Sequence, residues 1–127
     1  MLNRVEIIRN VVFALLGAMG LVFKQAYHGP VSDIVHAYGG NFVVSFSLYF
    51  AAVSAATRFR LGRSAAAAAT LLAVEVFEVT NGLGVMTNVY DTVDLAANAA
   101  GVAVAVALDL ATLRLLETRW KDRQVNT

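Results

Sequence analysis

Cysteine is absent from this 127-residue chain, which excludes disulfides and thiolate metal sites and leaves its redox compartment unmarked. Charge is scarce as well. Asp, Glu, Lys and Arg make up 15% of the residues, against roughly 25% in an ordinary soluble domain. The formal net charge of +1 lies too near zero to suggest a nucleic-acid partner. Signatures of familiar chemistry are missing too: there is no serine or cysteine nucleophile motif, no HExxH and no phosphate-binding glycine loop. Linkers, low-complexity tails and internal repeats are also lacking, so a single domain over residues 1–127 is expected. Proline occurs once, as Pro30, in the turn-like HGP of a short connection.

Apolar side chains are what the chain has in excess. They form 58% of it, with a mean hydropathy of +0.64, and they come in long blocks instead of at amphipathic spacing. A bilayer core about 30 Å thick takes about 20 mostly apolar residues at 1.5 Å rise each. Four such spans fit, at about residues 5–24, 36–57, 64–84 and 91–116, the third opening with the alanine run Ala65 to Ala69. Lone strands are excluded, because they cannot satisfy their backbone in lipid. The stretch VSDIVHAY before the second span either starts that helix early or lies at the interface. The fold class expected is an all-α membrane protein, a four-transmembrane-helix bundle.

The distribution of Lys and Arg orients it. Arg4 and Arg9, then Arg58, Arg60 and Arg63, then Arg114, Arg119, Lys121 and Arg123 fall on one side of that layout, and Lys24 alone on the other. The positive-inside rule makes the crowded side cytoplasmic, with both termini in. Tyr27, Tyr38 and Tyr90 near the outer interface and Trp120 near the inner one fit an aromatic belt. The first span is expected to be retained, since LVFKQAYHG is a poor cleavage site for a signal peptidase.

Polar residues inside the spans carry whatever chemistry there is, because a charge at bilayer depth costs roughly 2.5–3.5 kcal/mol and persists only when paired, protonated or facing a protected cavity. Glu75 and Glu78 share a face of the third helix at i, i+3. Asp91, Asp94 and Asn98 open the fourth, and the stripe continues through Gly101 and Ala105 to Asp109. Within it, Ala97, Gly101 and Ala105 have the small-xxx-small spacing that lets helices approach closely. Counting rise from the span ends puts Glu78 roughly 9 Å and Asn98 roughly 10 Å below the outer boundary. An Asn98 amide donating to Glu78 is therefore expected, with Glu75 level with the space left by Gly101. Asp33 and His36, at the outer mouth of the second helix, would join Asp91 and Asp94 to complete an outward pocket rich in carboxylates.

The segment EVFE, a polar loop and then DLAANAAG resembles the signature of the VanZ-like membrane proteins, which show Glu-x-x-Gln on their third helix and Asp-x-x-x-Asn-x-x-Gly on their fourth. The matching positions are Glu75, Asp94, Asn98 and Gly101, and His36 is the counterpart of a histidine at the start of the family's second helix. Glu78 stands where the family usually has glutamine, Asp33 is offset from the usual spacing, and Ala105 replaces a frequent glycine. The arginine common in the family's loop is missing from NGLGVMTNVYD, and the match covers about residues 71–108. The resemblance implies a small multi-pass protein of a bacterial or archaeal cell membrane. Its role would lie at the cell envelope, binding or excluding an amphipathic ligand from the outer side. The family takes its name from resistance to the glycopeptide teicoplanin.

Plainer readings stand beside these. Glu75 and Glu78 would then be a protonated or hydrogen-bonded pair that fixes helix packing. Asp91, and with less reason Asp94, would cap the fourth helix. Asn98 and Gly101 are packing residues whatever the function. His28 and His36 fit an interface better than a metal site, although His36 among carboxylates could hold a divalent cation. Asp109 is expected to pair with Arg114 or another inner-side arginine. The Arg58, Arg60, Arg63 cluster is explained by topology, and the run Phe42, Phe46, Tyr49, Phe50 by lipid-facing or bundle-packing surface.

Three functions follow. The first is a non-enzymatic VanZ-like protein whose outward pocket takes a lipid-like ligand. The second is a non-catalytic subunit or assembly factor, bound to another membrane protein or to a second copy of the chain. The third, least supported, is a membrane enzyme acting on a lipid head group through Glu75 and Glu78. No cofactor and no resident metal are expected. A transporter acting alone is disfavoured, since four short helices without inverted repeats offer little for alternating access.

Overall fold

The computed structural model describes residues 4–85 and 91–125, with the side chains of residues 123 and 125 excepted. Tyr90 of the expected aromatic belt and the side chain of Arg123 lie outside the described residues. Among these there are four α-helices: α1 (Arg4–Ala26), α2 (Ser32–Arg58), α3 (Arg63–Val79) and α4 (Thr92–Val125). Three of them, α1, α2 and α4, are long and apolar enough to cross a membrane.

Each helix end has a local cause. The α2 helix takes in VSDIVHAY from Ser32 onward, after a left-handed Val31 (φ 55°). Both α2 and α3 stop in Schellman turns. After α2, Arg60 is left-handed (φ 57°) and donates its N–H to the Thr57 carbonyl, while Leu61 donates to Ala56. After α3, Asn81 (φ 51°) donates to Glu78 and Gly82 donates to Phe77 across 2.7 Å. The third helix therefore ends at Val79 and not near Gly84 as hydropathy suggested, because the NGLG segment takes positive φ at all four positions. At 17 residues it is about 25 Å long. The fourth helix errs the other way, running on to Val125 through a charged, exposed tail that hydropathy does not count.

The helices do not form a symmetric square. The α2 helix packs against all three others, α3 also touches α4, and α1 lies on α2 alone along most of its length. Facing residues give the directions. Tyr38 meets Asp91, Asn41 meets Asp94 and Tyr49 meets Asp109, so α2 and α4 run parallel. Phe13 stacks on Phe50 at 4.8 Å and Gly20 faces Val43, so α1 runs antiparallel to α2. The first residues of α1 and α3 and the last of α4 thus gather at one end of the bundle, with Lys24, Glu78 and Asp91 at the other.

Small residues set the spacing. A Cβ on Gly101 would strike the Phe42 carbonyl and Ser45 Oγ, and one on Gly17 would strike Ser47 Oγ. Ala105 is wholly buried beside Tyr49, Phe50, Val53, Ala56 and Ala66. The Ala97, Gly101, Ala105 stripe is accordingly the seam where α4 meets α2. Gly101 faces α2, so the expected space beside it for Glu75 does not exist.

The interior is unusually polar and the exterior unusually apolar. Asn10, Ser45, Thr70, Glu78, Asp94, Asn98 and Asp109 are buried, while Val5, Ile8, Leu15, Leu16, Val22 and Phe23 of α1 are exposed. In water so broad an apolar surface would invite aggregation. In hydrocarbon it costs nothing, and it is the polar groups that must face inward.

The termini-bearing end is tied by one carboxylate. Asp109 of α4, with no exposed surface, accepts from Arg9 of α1, from the Arg63 Nε of α3 at 2.9 Å and from the Tyr49 hydroxyl of α2 at 2.8 Å. Arg114, the nearest arginine in sequence, is exposed and is not a partner. The pairing expected with an inner-side arginine exists, but the partners come from other helices. Arg9 also donates to the Asn10 side-chain Oδ1 and to Thr112, Asn10 donates to Ser54, and Glu6 lies 3.8 Å from Arg63.

Asp109→Asn keeps an acceptor for Tyr49 but leaves Arg9 without its counter-charge and Arg63 with Glu6 at 3.8 Å. Removing one partner of a buried pair costs about 3–5 kcal/mol. The lower end is expected, since 34% of the Arg63 side chain is exposed. Thermal denaturation in mild detergent, compared with Arg114→Gln as an indifferent control, measures it.

Candidate functional site

At the opposite end the polar groups are not tied off. A cavity of about 660 Å³ lies over α2, between α1 and α3. Leu21 and Lys24 of α1 form one wall, and Ala73, Val74 and Phe77 of α3 form the other. Gly40, Asn41, Val44 and Leu48 of α2 lie along its length, and Glu78, Asp94 and Asn98 make its polar end. Because α1 and α3 meet only through the Glu6 and Arg63 side chains at the far end, nothing among the described residues closes the side between them. The cavity is a groove, apolar along most of its length and polar at one end.

The Schellman turn after Val79 decides which residues meet there. With α3 ending five residues sooner than hydropathy suggested, Glu78 falls in its last turn and comes level with Asp94, one turn into α4. The Glu78 and Asp94 carboxyls lie side by side across the seam between the two helices. The expected bond from Asn98 to Glu78 does not form, because Asn98 lies one helical turn further along α4, level with Val74. Asn98 is 3% exposed, lines the groove and has no hydrogen-bond partner among the described residues.

Asp94 is instead held by Asn41, whose side-chain amide donates to its Oδ1 at 2.6 Å. Sequence reasoning missed Asn41. Its signal was an amide at the head of the apolar run NFVVSFS, where a polar side chain is an interhelical donor by default. With Tyr38, Ser45 and Tyr49 it makes a polar stripe on α2 that matches the α4 stripe position by position.

The other expected site residues fall elsewhere. Asp91 precedes α4, accepts from the Val93 N–H at 3.1 Å and takes the Tyr38 hydroxyl at 3.1 Å, which is the capping role. Asp33 and His36 are exposed and do not line the groove, so the carboxylate-rich outer mouth narrows to Glu78 and Asp94. The His36 ring stands edge-on to His28 at 6.3 Å, and its carbonyl accepts from Lys24 at 3.2 Å. Among the described residues no three His, Cys, Asp or Glu side chains gather as a metal site. Glu75 does not line the groove either, and its Oε2 is buried without a hydrogen bond among the described residues.

Fold and site together define a class: an all-helical bundle, three of whose helices are long and apolar enough to cross a membrane, with a groove whose polar end is formed by buried carboxyl and amide groups. Comparison of the chain with protein-family models, with curated proteins and with solved structures finds no match.

The revised contacts are separable by double-mutant cycle. Asn41→Ala and Asp94→Ala are expected to be non-additive by about 0.5–3 kcal/mol of unfolding free energy, as for residues in contact. In lipid-free protein Glu78→Ala and Asn98→Ala are expected to add, within about 0.3–0.5 kcal/mol. The reverse pattern would restore the pairing expected from hydropathy.

Proposed function

We propose that this chain is a small, non-enzymatic, VanZ-like protein of the cell membrane, with four passes and both termini cytoplasmic, whose groove binds a lipid-like amphiphile in the outer half of the bilayer. The groove carries this reading. Its volume falls in the range of about 300–1,000 Å³ usual for small-molecule sites. Its apolar length suits a hydrocarbon tail, its polar end suits a head group, and its open side faces where lipid would be.

Support for the orientation comes from charge. Arg4, Arg9, Arg58, Arg60, Arg63, Arg114, Arg119 and Lys121 lie toward the termini-bearing end and Lys24 toward the other, the asymmetry that retains basic residues in the cytoplasm. The α3 helix at about 25 Å is short for a core of about 30 Å, a mismatch that local thinning absorbs at modest cost. Two of the four matched motif positions, Asp94 and Asn98, line the groove beside Glu78, which stands where the family usually has glutamine, and this supports the VanZ-like reading. Glu75 and Gly101 contribute to packing in it instead.

Two measurements test the proposal. Gentle purification followed by native mass spectrometry is expected to find the chain carrying bound lipid, and Val44→Trp, which places an indole in the groove, is expected to release it. A chain that carries none, or that keeps its lipid in Val44→Trp, overturns the groove as the working site. A C-terminal reporter active only outside the cytoplasm is expected to stay silent, and activity from it would overturn the orientation.

A further inference from the structure

The polar end of the groove brings two carboxyls, Glu78 and Asp94, together with no basic side chain paired to either among the described residues. Contrast the far end, where Asp109 alone draws two arginines. Two adjoining carboxyls in a weakly polar setting either share a proton or take a cation beside them.

Adjacent acids do not make a site, but Asn98 supplies an independent observation. Its amide is almost wholly buried, borders the groove and has no hydrogen-bond partner among the described residues. An amide that lines the groove without such a partner has its Oδ1 available to the polar hydrogens of an occupant. The acceptors can be enumerated. Asn41 occupies Asp94 Oδ1, and the Glu78 and Asp94 carboxyls lie within hydrogen-bond reach of each other, so the groove is lined by oxygens of these two carboxyls and by Asn98 Oδ1. Acceptors from three side chains at one end of the groove suit the three N–H donors of a primary ammonium. Lys24 borders the same groove, and its Nζ makes one hydrogen bond, to the His36 carbonyl, so it has donors to spare for an anion.

We infer that the groove selects a zwitterionic membrane phospholipid with a primary amine, its ammonium among Glu78, Asp94 and Asn98, its phosphate toward Lys24 and an acyl chain along Val44 and Phe77. This deepens the proposal that the groove binds lipid and rests on it. A choline head group carries the same charge but has no N–H to donate. A glycerol head group keeps the phosphate at Lys24 but brings no cation to the two carboxyls, and so is disfavoured.

The test is a competition on the full-length chain. Phosphatidylethanolamine, phosphatidylcholine and phosphatidylglycerol with identical acyl chains are supplied in equal amounts in detergent micelles, and bound lipid is read by native mass spectrometry. The ethanolamine lipid is expected to exceed each of the others by about tenfold, the ratio given by one charge-assisted hydrogen bond of about 1.4 kcal/mol. In Glu78→Gln with Asp94→Asn, which conserves shape, the preference is expected to fall to near parity. Equal binding of the three lipids by the unaltered chain overturns the head-group assignment, whatever the variant does. If those lipids are still released by Val44→Trp, the groove survives and only the amine selectivity is lost. If no lipid is bound, or Val44→Trp leaves binding unchanged, the groove reading fails and this inference with it.

Discussion

Asp109 accepts from one side chain on each of the other three helices, and the rest of the bundle is arranged around that fact. Arg9 brings α1 to it, Tyr49 brings α2 and Arg63 brings α3. In a bilayer, apolar side chains gain little by leaving lipid for one another, so helix association depends on close packing and internal hydrogen bonds. A carboxylate with no exposed surface needs its counter-charges, and two arginines supply them from helices that otherwise meet little. The α1 helix shows this most plainly. It packs on α2 through Gly17, Gly20 and Phe13, and Arg9 ties it to α4.

Fixing the helices at one end leaves the other free to open. Toward Lys24 and Glu78, α1 and α3 are held apart by α2 with no ion pair across them among the described residues, and the groove occupies the space between. The two ends therefore treat similar chemistry in opposite ways. One surrounds a single carboxylate with donors from three helices. The other brings two carboxyls together with an unpaired amide and supplies one donor, Asn41, from the protein. Counter-charge reaches the carboxylate at one end from two arginines, and the carboxyls at the other end have none among the described residues.

Much of this was legible beforehand, and the limits have physical causes. The four helices followed from blocks of apolar residues, and the small-residue stripe on α4 from its spacing. Glu78, Asp94 and Asn98 stood out because polar groups in such blocks need a reason to be there. What failed was register. Hydropathy does not sense left-handed backbone, so the NGLG turn was absorbed into the third span and Glu78 was set level with Asn98 instead of Asp94. Asp109 was expected to meet Arg114 or another inner-side arginine; it does meet two, but a linear reading could not choose Arg9 and Arg63, which lie 100 and 46 residues away. Asp33 and His36 were grouped with the carboxylates by their place at a helix mouth, yet a helix has several faces and theirs is exposed.

Composition and patterning by themselves determined the class of protein: apolar blocks long enough to cross a membrane, basic residues segregated along the chain, and polar stripes that had to face inward. These are properties of single helices and their loops, set by the cost of placing charge or bare backbone in hydrocarbon. Which stripes face each other was decided only by the tertiary structure. That depends on where a Schellman turn stops α3, how closely Gly101 lets α4 approach α2, and which helix carries the arginine that reaches Asp109. A shift of a few residues along one helix exchanges one set of neighbours for another without changing the hydropathy of the chain at all.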